Sequence, residues 1–558
     1  MKRHLLKIVV LISLFVCSVP SNSQNNQFHY DVGSFEVYLW DFGLYNGDWG
    51  AFIYYPKYNN NSIYSSYADT RIYYIDNNEY RHVILNQFMP EYTLNIKSVI
   101  DDKTAVSDLD TRTDFFDRNT EQYNDRPFIR GLFNTYGFSE EFRNDFIIFE
   151  YILINEGIDT VKGLCLHRKF CVDISPVEQP EVKRFYKDDH TDLFIGNDAG
   201  FIPDEKIYIA YAYDGDSPDY SPDDAGGPNG ECPGYFGTCS IYSPATEYEK
   251  YPEHTPAYYF WGYQNIYDSD YAEIIQKMEN NISTYMQGST SPTIVGYIYI
   301  GWGPYNIAPG DTAKIVFAFG VGEGLDNMVE NFKWARRTYR SGWKSPILAS
   351  PEVTYNKRSS GIELTWNVNE INYINPFTER SGFSGYKIYK TEYTEDYLRY
   401  IDNITLLDTI PKEEINSSII EFLDTDVEKG KKYVYTVVNY LEDTDGKYYE
   451  SSKRRWVTIV DYNVPDEHIL YQNYPNPFNS GTKIKFELKK ETEVILKIYN
   501  ILGQEIKTLL NNQFNYAGPH SVFWDGTNNS GFPVSSGVYI YRFKAVDFIR
   551  SKKLVLLK

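Results

Sequence analysis

A chain of 558 residues is too long for one hydrophobic core, so several domains are expected. Its formal net charge of −22 repels nucleic acid and anionic lipid, which argues against a nucleic-acid partner. Aromatic residues make up 17% of the chain, with 53 tyrosines, and this composition favours strands over helices. The sequence therefore predicts an all-β, multidomain protein.

The first residues are typical of an export signal. Three basic residues precede the apolar run Ile8–Val16, and small residues follow, which suits cleavage after Ser23. The run is too short to span a bilayer, and no later apolar stretch is long enough. We expect residues 1–23 to be a signal peptide and the mature chain to contain no transmembrane helix.

Residues 24–345 are predicted to form a large β-sandwich with two peripheral helices. Two segments, one behind Asp270 and one behind Asp326, have apolar residues at helical spacing. The rest alternates between polar loops and apolar runs that are typical of buried strands. The clearest runs cover residues 146–154, 207–213, 294–302 and 313–321.

Four cysteines follow the signal segment: Cys165, Cys171, Cys232 and Cys239. An even number in an exported protein indicates disulfides, and no pair has the close spacing of a structural zinc site. If residues 161–173 form one strand, Cys165 and Cys171 lie roughly 20 Å apart, too far to pair with each other. Two patterns stay open. In the first, the nested pattern, an antiparallel strand pair carries two disulfides, Cys165–Cys239 and Cys171–Cys232. In the second, a local disulfide joins Cys232 to Cys239.

A calcium site is predicted on an acidic turn at Asp214, Asp216 and Asp219, because calcium prefers several oxygen ligands. The turn lacks the glycine and glutamate of an EF-hand loop, so a solvated acidic loop is the alternative. A second acidic cluster comprises Asp188, Asp189 and Asp192.

Four consecutive aromatic residues, Tyr258, Tyr259, Phe260 and Trp261, are a candidate platform for stacking on a glycan. Aromatic residues in strands also serve as core, which is the alternative interpretation.

No catalytic residue or organic cofactor can be assigned from motifs. The chain contains no Gly-x-Ser-x-Gly elbow, no His-Glu-x-x-His motif and no phosphate-binding loop. A carboxylate pair for glycoside hydrolysis stays open, because such pairs meet in space and not in sequence.

Residues 346–464 are predicted to be a second sandwich. Ile362, Leu364 and Trp366 alternate with polar residues, which indicates a strand with one buried face. Together with the later strand-like runs, this order resembles a fibronectin type III domain. The resemblance implies that Trp366 is the core tryptophan and Tyr433 the corner tyrosine.

Residues 465–558 are predicted to form a third sandwich, immunoglobulin-like as is the second, and they carry five motifs in order. They are Asn-Tyr-Pro-Asn-Pro-Phe-Asn at 473–479, Ile-Tyr-Asn-Ile-Leu-Gly-Gln at 498–504, Trp-Asp-Gly at 524–526, Ser-Ser-Gly-Val-Tyr-Ile-Tyr at 535–541 and Lys-Lys-Leu-Val-Leu-Leu-Lys at 552–558. Strict alternation over 482–488 predicts a strand with Ile484, Phe486 and Leu488 buried.

These motifs resemble the type A C-terminal sorting domain of type IX secretion system cargo. The resemblance implies a diderm bacterium, export to the periplasm, passage through the type IX machinery by means of residues 465–558, and a final place outside the cell or on its surface. A fainter likeness, over residues 301–339, is to an exported β-sandwich region of other sorting-domain proteins and implies fold alone.

Two functions are compatible with this organisation. The first is a binding, adhesive or structural module in residues 24–345 that recognises a glycan or another cell-surface ligand. The second is a secreted hydrolase acting on polysaccharide or protein.

Overall fold

The computed structural model describes most of the chain from residue 129 onward and isolated strands before it. The described residues are 27–30, 36–40, 53–54, 63–75, 81–83, 95–97, 107, 109–116, 129–175, 190–198, 202–213, 235–244, 258–262, 296–368, 371–395, 401, 404–444, 446–454 and 456–558. The predicted signal peptide and the predicted helix behind Asp270 lie outside them.

The chain divides into two compact units. The first contains residues 1–346 with 374–380, and the second contains 347–373 with 381–558. The second unit holds both of the predicted C-terminal sandwiches, and the predicted boundary between them at residues 464 and 465 stays a prediction. Among the described residues, no helix is long and apolar enough to cross a membrane.

The described residues of the first unit form two eight-stranded antiparallel sheets. Sheet A has the order β1-β2-β3-β4-β10-β15-β14, with β5 beside β4, and sheet B has the order β11-β12-β13-β16-β9-β8-β7-β6. The strands are β1 (Gln27–Tyr30), β2 (Glu36–Trp40), β3 (Ile53–Tyr54), β4 (Ile63–Ile75), β5 (Arg81–Val83), β6 (Asn95–Lys97), β7 (Leu109–Phe116), β8 (Ile129–Gly137), β9 (Phe146–Asn155), β10 (Val161–Ser175), β11 (His190–Asp198), β12 (Ile202–Tyr213), β13 (Tyr235–Tyr242), β14 (Tyr258–Gly262), β15 (Gly296–Ile307) and β16 (Thr312–Gly322). Each of the four apolar runs singled out in the sequence lies largely within a strand.

The two sheets face each other across an aromatic core. Trp302 of sheet A is fully buried, and its ring lies 5.1 Å from that of Phe317 in sheet B. Its Nε1 donates a hydrogen bond of 2.9 Å to the Ser240 hydroxyl of sheet B. Burying a large aromatic side chain stabilises a fold by roughly 1.5–3 kcal/mol, and the hydrogen bond satisfies the one polar group that Trp302 carries.

One helix, α1 (Leu325–Arg340), covers the outer face of sheet B. Met328 and Phe332 are fully buried in this contact. A Cβ atom on Gly322 would lie 2.5 Å from the Met328 nitrogen, and one on Gly320 would lie 3.3 Å from the Phe332 ring. Glycine at these positions lets the helix approach the sheet closely. The helix predicted behind Asp326 is thereby confirmed.

The second unit begins with a sandwich of two sheets. Sheet C has the order β17-β18-β21, and sheet D has the order β20-β19-β22-β23 with β24 beside β22. The elements are β17 (Val353–Arg358), β18 (Gly361–Asn367), β19 (Gly385–Glu392), β20 (Thr405–Pro411), a 3₁₀ turn (Lys412–Glu414), β21 (Ile419–Asp424), β22 (Lys432–Glu442), β23 (Tyr448–Glu450) and β24 (Thr458–Asp461).

Two residues singled out by the fibronectin type III resemblance make structural contacts in this sandwich, while the family itself stays a prediction. Trp366 is buried in the core, with its ring 5.7 Å from that of Tyr386. The hydroxyl of Tyr433 accepts a 2.8 Å hydrogen bond from the backbone N–H of Glu428, five residues upstream. This contact ties the end of one strand connection to the start of β22.

The last sandwich, the C-terminal module, also has two sheets. Sheet E has the order β25-β26-β29, and sheet F has the order β28-β27-β30-β31. The strands are β25 (Ile469–Leu470), β26 (Thr482–Leu488), β27 (Thr492–Asn500), β28 (Glu505–Asn515), β29 (Gly518–Trp524), β30 (Gly537–Ala545) and β31 (Phe548–Leu556). The predicted strand 482–488 and its buried Ile484, Phe486 and Leu488 are confirmed.

The two sandwiches of the second unit share a contact. Ala517, which precedes β29, is buried in the core of the sandwich that contains Trp366, and its N–H donates to the Lys357 carbonyl at 3.1 Å. The guanidinium of Arg358 lies 4.8 Å from the centre of the Tyr516 ring. These contacts make the C-terminal module part of a larger packed body.

Candidate functional site: buried carboxylates and the closure of the C-terminal module

The predicted calcium ligands Asp214, Asp216 and Asp219 lie outside the described residues, as do Asp188 and Asp189. Among the residues that are described, no group of three or more His, Cys, Asp or Glu side chains is placed to hold a metal ion. Calcium binding therefore stays a prediction from sequence.

The candidate glycan platform lies on β14, at an edge of sheet A. Its backbone pairs with β15, with Phe260 opposite Tyr299. Among the described strands of sheet A, β14 is the last in the order, and glycan binding stays a prediction.

Cys165 and Cys171 both lie on β10, so the predicted single strand is confirmed. Cys165 and Cys239 are both buried, and they are not joined to each other. The antiparallel strand pair on which the nested alternative was based is not formed, because β10 pairs with β4 and β15 in sheet A whereas β13 pairs with β12 and β16 in sheet B. Cys232 lies outside the described residues, and the disulfide pattern stays a prediction.

A buried carboxylate, Glu150, lies near the middle of β9. Its Oε2 accepts hydrogen bonds from Asn134 Nδ2 at 2.8 Å and from the Tyr136 hydroxyl at 2.9 Å, both on β8. Its Oε1 accepts a 2.8 Å hydrogen bond from the Tyr339 hydroxyl of α1 and lies 3.2 Å from Lys314 Nζ of β16. One side chain thus connects three strands of sheet B and the helix that covers them.

The protonation states follow from these contacts. Burial alone would raise the pKa of Glu150, but hydrogen bonds from Asn134 and Tyr339 hold that pKa below its usual value. Burial, with the charge of Glu150, raises the pKa of both tyrosine hydroxyls. Because the carboxylate is ionised at neutral pH and its oxygens are occupied, it is unsuited to general acid catalysis. The arrangement instead fixes α1 on the sheet.

Trp343 packs over the same cluster from the turn that follows α1. Its backbone has a φ of 67°, in the left-handed region that bulky residues rarely occupy. Its ring lies 4.3 Å from that of Tyr136 and 5.2 Å from that of Tyr339. The turn is therefore held in an unfavourable backbone conformation by ring contacts around the Glu150 cluster.

A second carboxylate, Glu450, has a similar set of donors in the second unit. Its Oε1 accepts hydrogen bonds from the Tyr389 hydroxyl at 2.7 Å, from Lys387 Nζ at 3.1 Å and from the Tyr448 hydroxyl. Lys453 Nζ lies 3.6 Å from Oε2. Burial alone would raise the pKa of Glu450, and the tyrosine hydrogen bonds hold it below its usual value.

The lead-in segment of the C-terminal module, residues 471–478, runs first along sheet E. Tyr474 and Lys483 exchange two backbone hydrogen bonds of 3.0 Å, and the Tyr471 N–H donates to the Lys485 carbonyl at 3.0 Å. The segment thus extends sheet E beside β26.

The same segment then crosses to sheet F and covers the edge of β31. We call this crossing contact the closure of the C-terminal module. Phe478 N–H donates to the Val555 carbonyl at 2.9 Å, and Leu557 N–H donates to the Phe478 carbonyl at 2.8 Å. The Val555 N–H donates to Asn476 Oδ1, also at 2.9 Å. An uncovered strand edge is a template for association with other chains, and here part of that edge is occupied by the chain itself.

A buried polar group locks this closure. The Tyr541 hydroxyl donates to the Tyr471 carbonyl at 2.7 Å and accepts from the Asn473 N–H at 3.0 Å. Burial raises the pKa of Tyr541 to about 12, so the hydroxyl keeps its proton. Asn473 Nδ2 donates in turn to Thr482 Oγ1 at 3.0 Å. Three of the motifs seen in the sequence, at 473–479, 535–541 and 552–558, therefore meet at one place.

Sequence reasoning missed both carboxylates. Glu150 carries a readable signal, since it is the one charged residue within the apolar run 146–154. A charge in a strand buried on both faces requires partners, and this alone would have singled it out. Glu450 carries no such signal, because its strand is short and polar residues follow it.

Comparison with known proteins gives one sequence-family match: residues 473–547 match the FlgD Ig-like domain. The matched residues begin in the lead-in segment and end just before β31. No curated protein matches the chain.

Three of the similar solved structures are a polysaccharide lyase and two Porphyromonas gingivalis proteins, latent PorU and PorZ, the latter described as a surface component of the type IX secretion system. Their identities are 9%, 11% and 9%, and their TM-scores are 0.25, 0.15 and 0.16. They cover 75%, 66% and 95% of this chain, which in turn spans 46%, 34% and 75% of theirs. The chain thus spans less than half of the lyase and of PorU. TM-scores this low carry no argument about architecture or activity, so the similarity that bears on this chain is the FlgD Ig-like match over residues 473–547.

Proposed function

We propose that this chain is an exported protein of a diderm bacterium, and that residues 465–558 are the signal by which the type IX secretion machinery recognises it. The supporting observation is the closure of the C-terminal module. The motifs that resemble a sorting domain are separated in sequence, yet the lead-in segment, β30 and β31 contact one another through the Tyr541 hydroxyl and the Phe478–Val555 hydrogen bond.

In this proposal the first unit is the delivered part, and it acts outside the cell or on its surface as a binding, adhesive or structural module. Its described part is a sandwich whose helix is fixed by a fully occupied carboxylate. Calcium at Asp214, Asp216 and Asp219 and a glycan at residues 258–261 belong to the proposal on sequence grounds.

The test uses a bacterium that has the type IX machinery. Two reporters place a signal peptide and a fluorescent protein before residues 466–558 or before residues 347–558. Both are expected in the medium or on the cell surface. The longer reporter is expected to be the more protease-resistant, because it keeps the contact of Ala517 with the neighbouring core. A chain without residues 552–558 is expected to remain in the periplasm.

A matched pair of variants separates recognition from stability. Phe478→Ala removes a side chain of the closure, and Leu488→Ala removes an equally buried one from β26, and each costs about 3 kcal/mol. Export is expected to fall with Phe478→Ala and to persist with Leu488→Ala. Normal export of the chain that lacks residues 552–558 would contradict the proposal. An equal loss of export with Phe478→Ala and Leu488→Ala would show that export depends on the stability of the module and not on its closure.

A further inference from the structure

The charge of the chain is unevenly distributed. Residues 465–558 contain 12 lysines and arginines against 8 aspartates and glutamates, a net charge of +4 in a chain whose net charge is −22. Ionic screening limits the reach of surface charges to about 8–10 Å, so a ligand beside this module senses its local charge more than the net charge of the whole chain.

Four of the twelve basic side chains of the module, those of Lys497, Arg542, Lys544 and Lys553, lie on the outer face of sheet F. Along β30, Arg542 and Lys544 are exposed while the residues between and beside them are buried. Across the sheet, Lys544 lies between Ile495 and Ile549, and Lys553 lies beside Ile540. Cations and aliphatic side chains are therefore neighbours across the strands of this face, and its acidic residues, Glu493 and Glu505, lie on the β27 and β28 side.

The cations at the centre of this surface have no acidic partner among the described residues. The one ion pair on this face is that of Lys497 with Glu505, at 2.8 Å, on the β28 side. Arg542, Lys544 and Lys553 form none. Four rows of residues on three adjacent strands span roughly 20 Å by 10 Å, which is far wider than a pocket for one small anion.

The aliphatic component indicates what kind of partner fits. Ile549 is 39% exposed and Val538 is 43% exposed, on the same face as Arg542 and Lys553. A purely ionic partner, such as a polyanion, gains nothing from these side chains. A membrane surface with anionic headgroups satisfies both features, because the cations contact phosphates while the aliphatic groups enter the boundary of the acyl region.

We propose that the outer face of sheet F, centred on Arg542, Lys544 and Lys553, docks the protein on an anionic lipid surface. The strongly acidic remainder of the chain is repelled by the same surface, so docking orients the chain with its C-terminal module toward the lipid. This inference is independent of the secretion signal, since it concerns a face of sheet F and not the closure.

The experiment measures binding of the full chain without residues 1–23 to vesicles of phosphatidylcholine alone and of phosphatidylcholine with phosphatidylglycerol at 3:1. Sedimentation is expected with the anionic vesicles at low ionic strength and not with the neutral ones. The triple variant R542E/K544E/K553E is expected to partition at least about 100-fold more weakly, since each cation contributes about fivefold.

The control variant K483E/K485E/K489E makes the same change in charge on sheet E and the turn that follows β26. It is expected to keep most of the binding, and melting curves of both variants are expected to match the parent chain, since the changed side chains are exposed. Equal losses from both triple variants, or no binding to anionic vesicles, would overturn the proposal. Salt-sensitive self-association that R542E/K544E/K553E abolishes, without vesicle binding, would also overturn it and assign the face to an acidic protein surface.

Discussion

Glu150 in the first unit and Glu450 in the second have nearly the same partners and different structural roles. Each carboxylate accepts hydrogen bonds from two tyrosine hydroxyls and lies beside lysine. Glu150 is 5% exposed and connects sheet B to a helix. Glu450 lies near the edge of sheet D, where one of its donors, Tyr448, is 39% exposed.

The lysines do not follow this contrast, since Lys314 beside Glu150 is 42% exposed while Lys387 and Lys453 beside Glu450 are 21% and 20% exposed. Lys387 and Lys453 lie over tyrosine rings, 4.6 Å from the centre of Tyr448 and 4.5 Å from that of Tyr389, so the Glu450 cluster is an interlocked surface network. Solvent reaches the Tyr448 side of the Glu450 cluster, whereas α1 covers the Tyr339 side of Glu150. The contribution of such a cluster to stability therefore depends less on which side chains form it than on how deeply it is buried and which elements it connects.

The largest effect is expected from Glu150→Ala. The substitution leaves the hydroxyls of Tyr136 and Tyr339 and the amide of Asn134 without their acceptor beneath α1, which is expected to cost about 3 kcal/mol. Denaturant unfolding of the mature chain would measure the loss, and faster amide hydrogen exchange in residues 325–340 would locate it. Unchanged exchange in that helix would show that Glu150 does not anchor it.

The same position has a defined pH dependence. The folded-state pKa of Glu150 is below its unfolded value, so its stabilisation is complete above about pH 4.5 and is lost as pH falls through the folded pKa. The stability gap between the parent chain and Glu150→Gln is therefore expected to narrow on acidification.

A third carboxylate, Asp145, has the opposite pKa shift and therefore the opposite dependence of stability on pH. Burial is the main cause that raises the pKa of Asp145 to about 7, and the hydrogen bond from Asn331 only partly offsets it. A raised acid pKa makes the fold less stable as pH rises from about 4 to 7. Asp145→Asn keeps an acceptor for Asn331 and is expected to stabilise the first unit by about 1–2 kcal/mol at pH 8. Melting curves at pH 4 and pH 8 test this, and a gain of the same size at both pH values would argue against the titration.

Glu450→Ala is expected to cost less than Glu150→Ala, about 1 kcal/mol, because Tyr448, Lys387 and Lys453 are partly exposed and can bond to water instead. The loss is expected in the unfolding transition of the second unit. A cost equal to that of Glu150→Ala would remove the distinction between the two clusters.

The smallest effect is expected from Tyr448→Phe, which removes one donor to Glu450 and keeps the ring beside Lys387. The expected loss is about 0.5 kcal/mol. Tyr136→Phe is the counterpart in the first unit, and it is expected to cost about twice as much. Equal losses of stability from Tyr448→Phe and Tyr136→Phe would indicate that the burial of a cluster does not affect the strength of its hydrogen bonds.

Local patterns predicted local structure well. Strict alternation placed β26 at its observed bounds, and helical spacing located α1. Cysteine spacing could not predict the strand pairing behind the nested disulfide pattern, because spacing does not show which strands are neighbours, and β10 and β13 belong to different sheets. The Glu150 cluster joins residues as far apart as 150 and 339, and no local pattern encodes such a contact.

The closure of the C-terminal module couples regions that are synthesised far apart. Asn476 and Val555 are separated by 79 residues, and β26 to β30 all lie between them in the chain. Their hydrogen bond can form only when the intervening strands occupy their places, since both sheets must exist for the lead-in segment to cross from one to the other. The edge of β31 is therefore covered only in a module that has been synthesised and folded through β31. A receptor that binds the closed form would reject a chain interrupted anywhere before it.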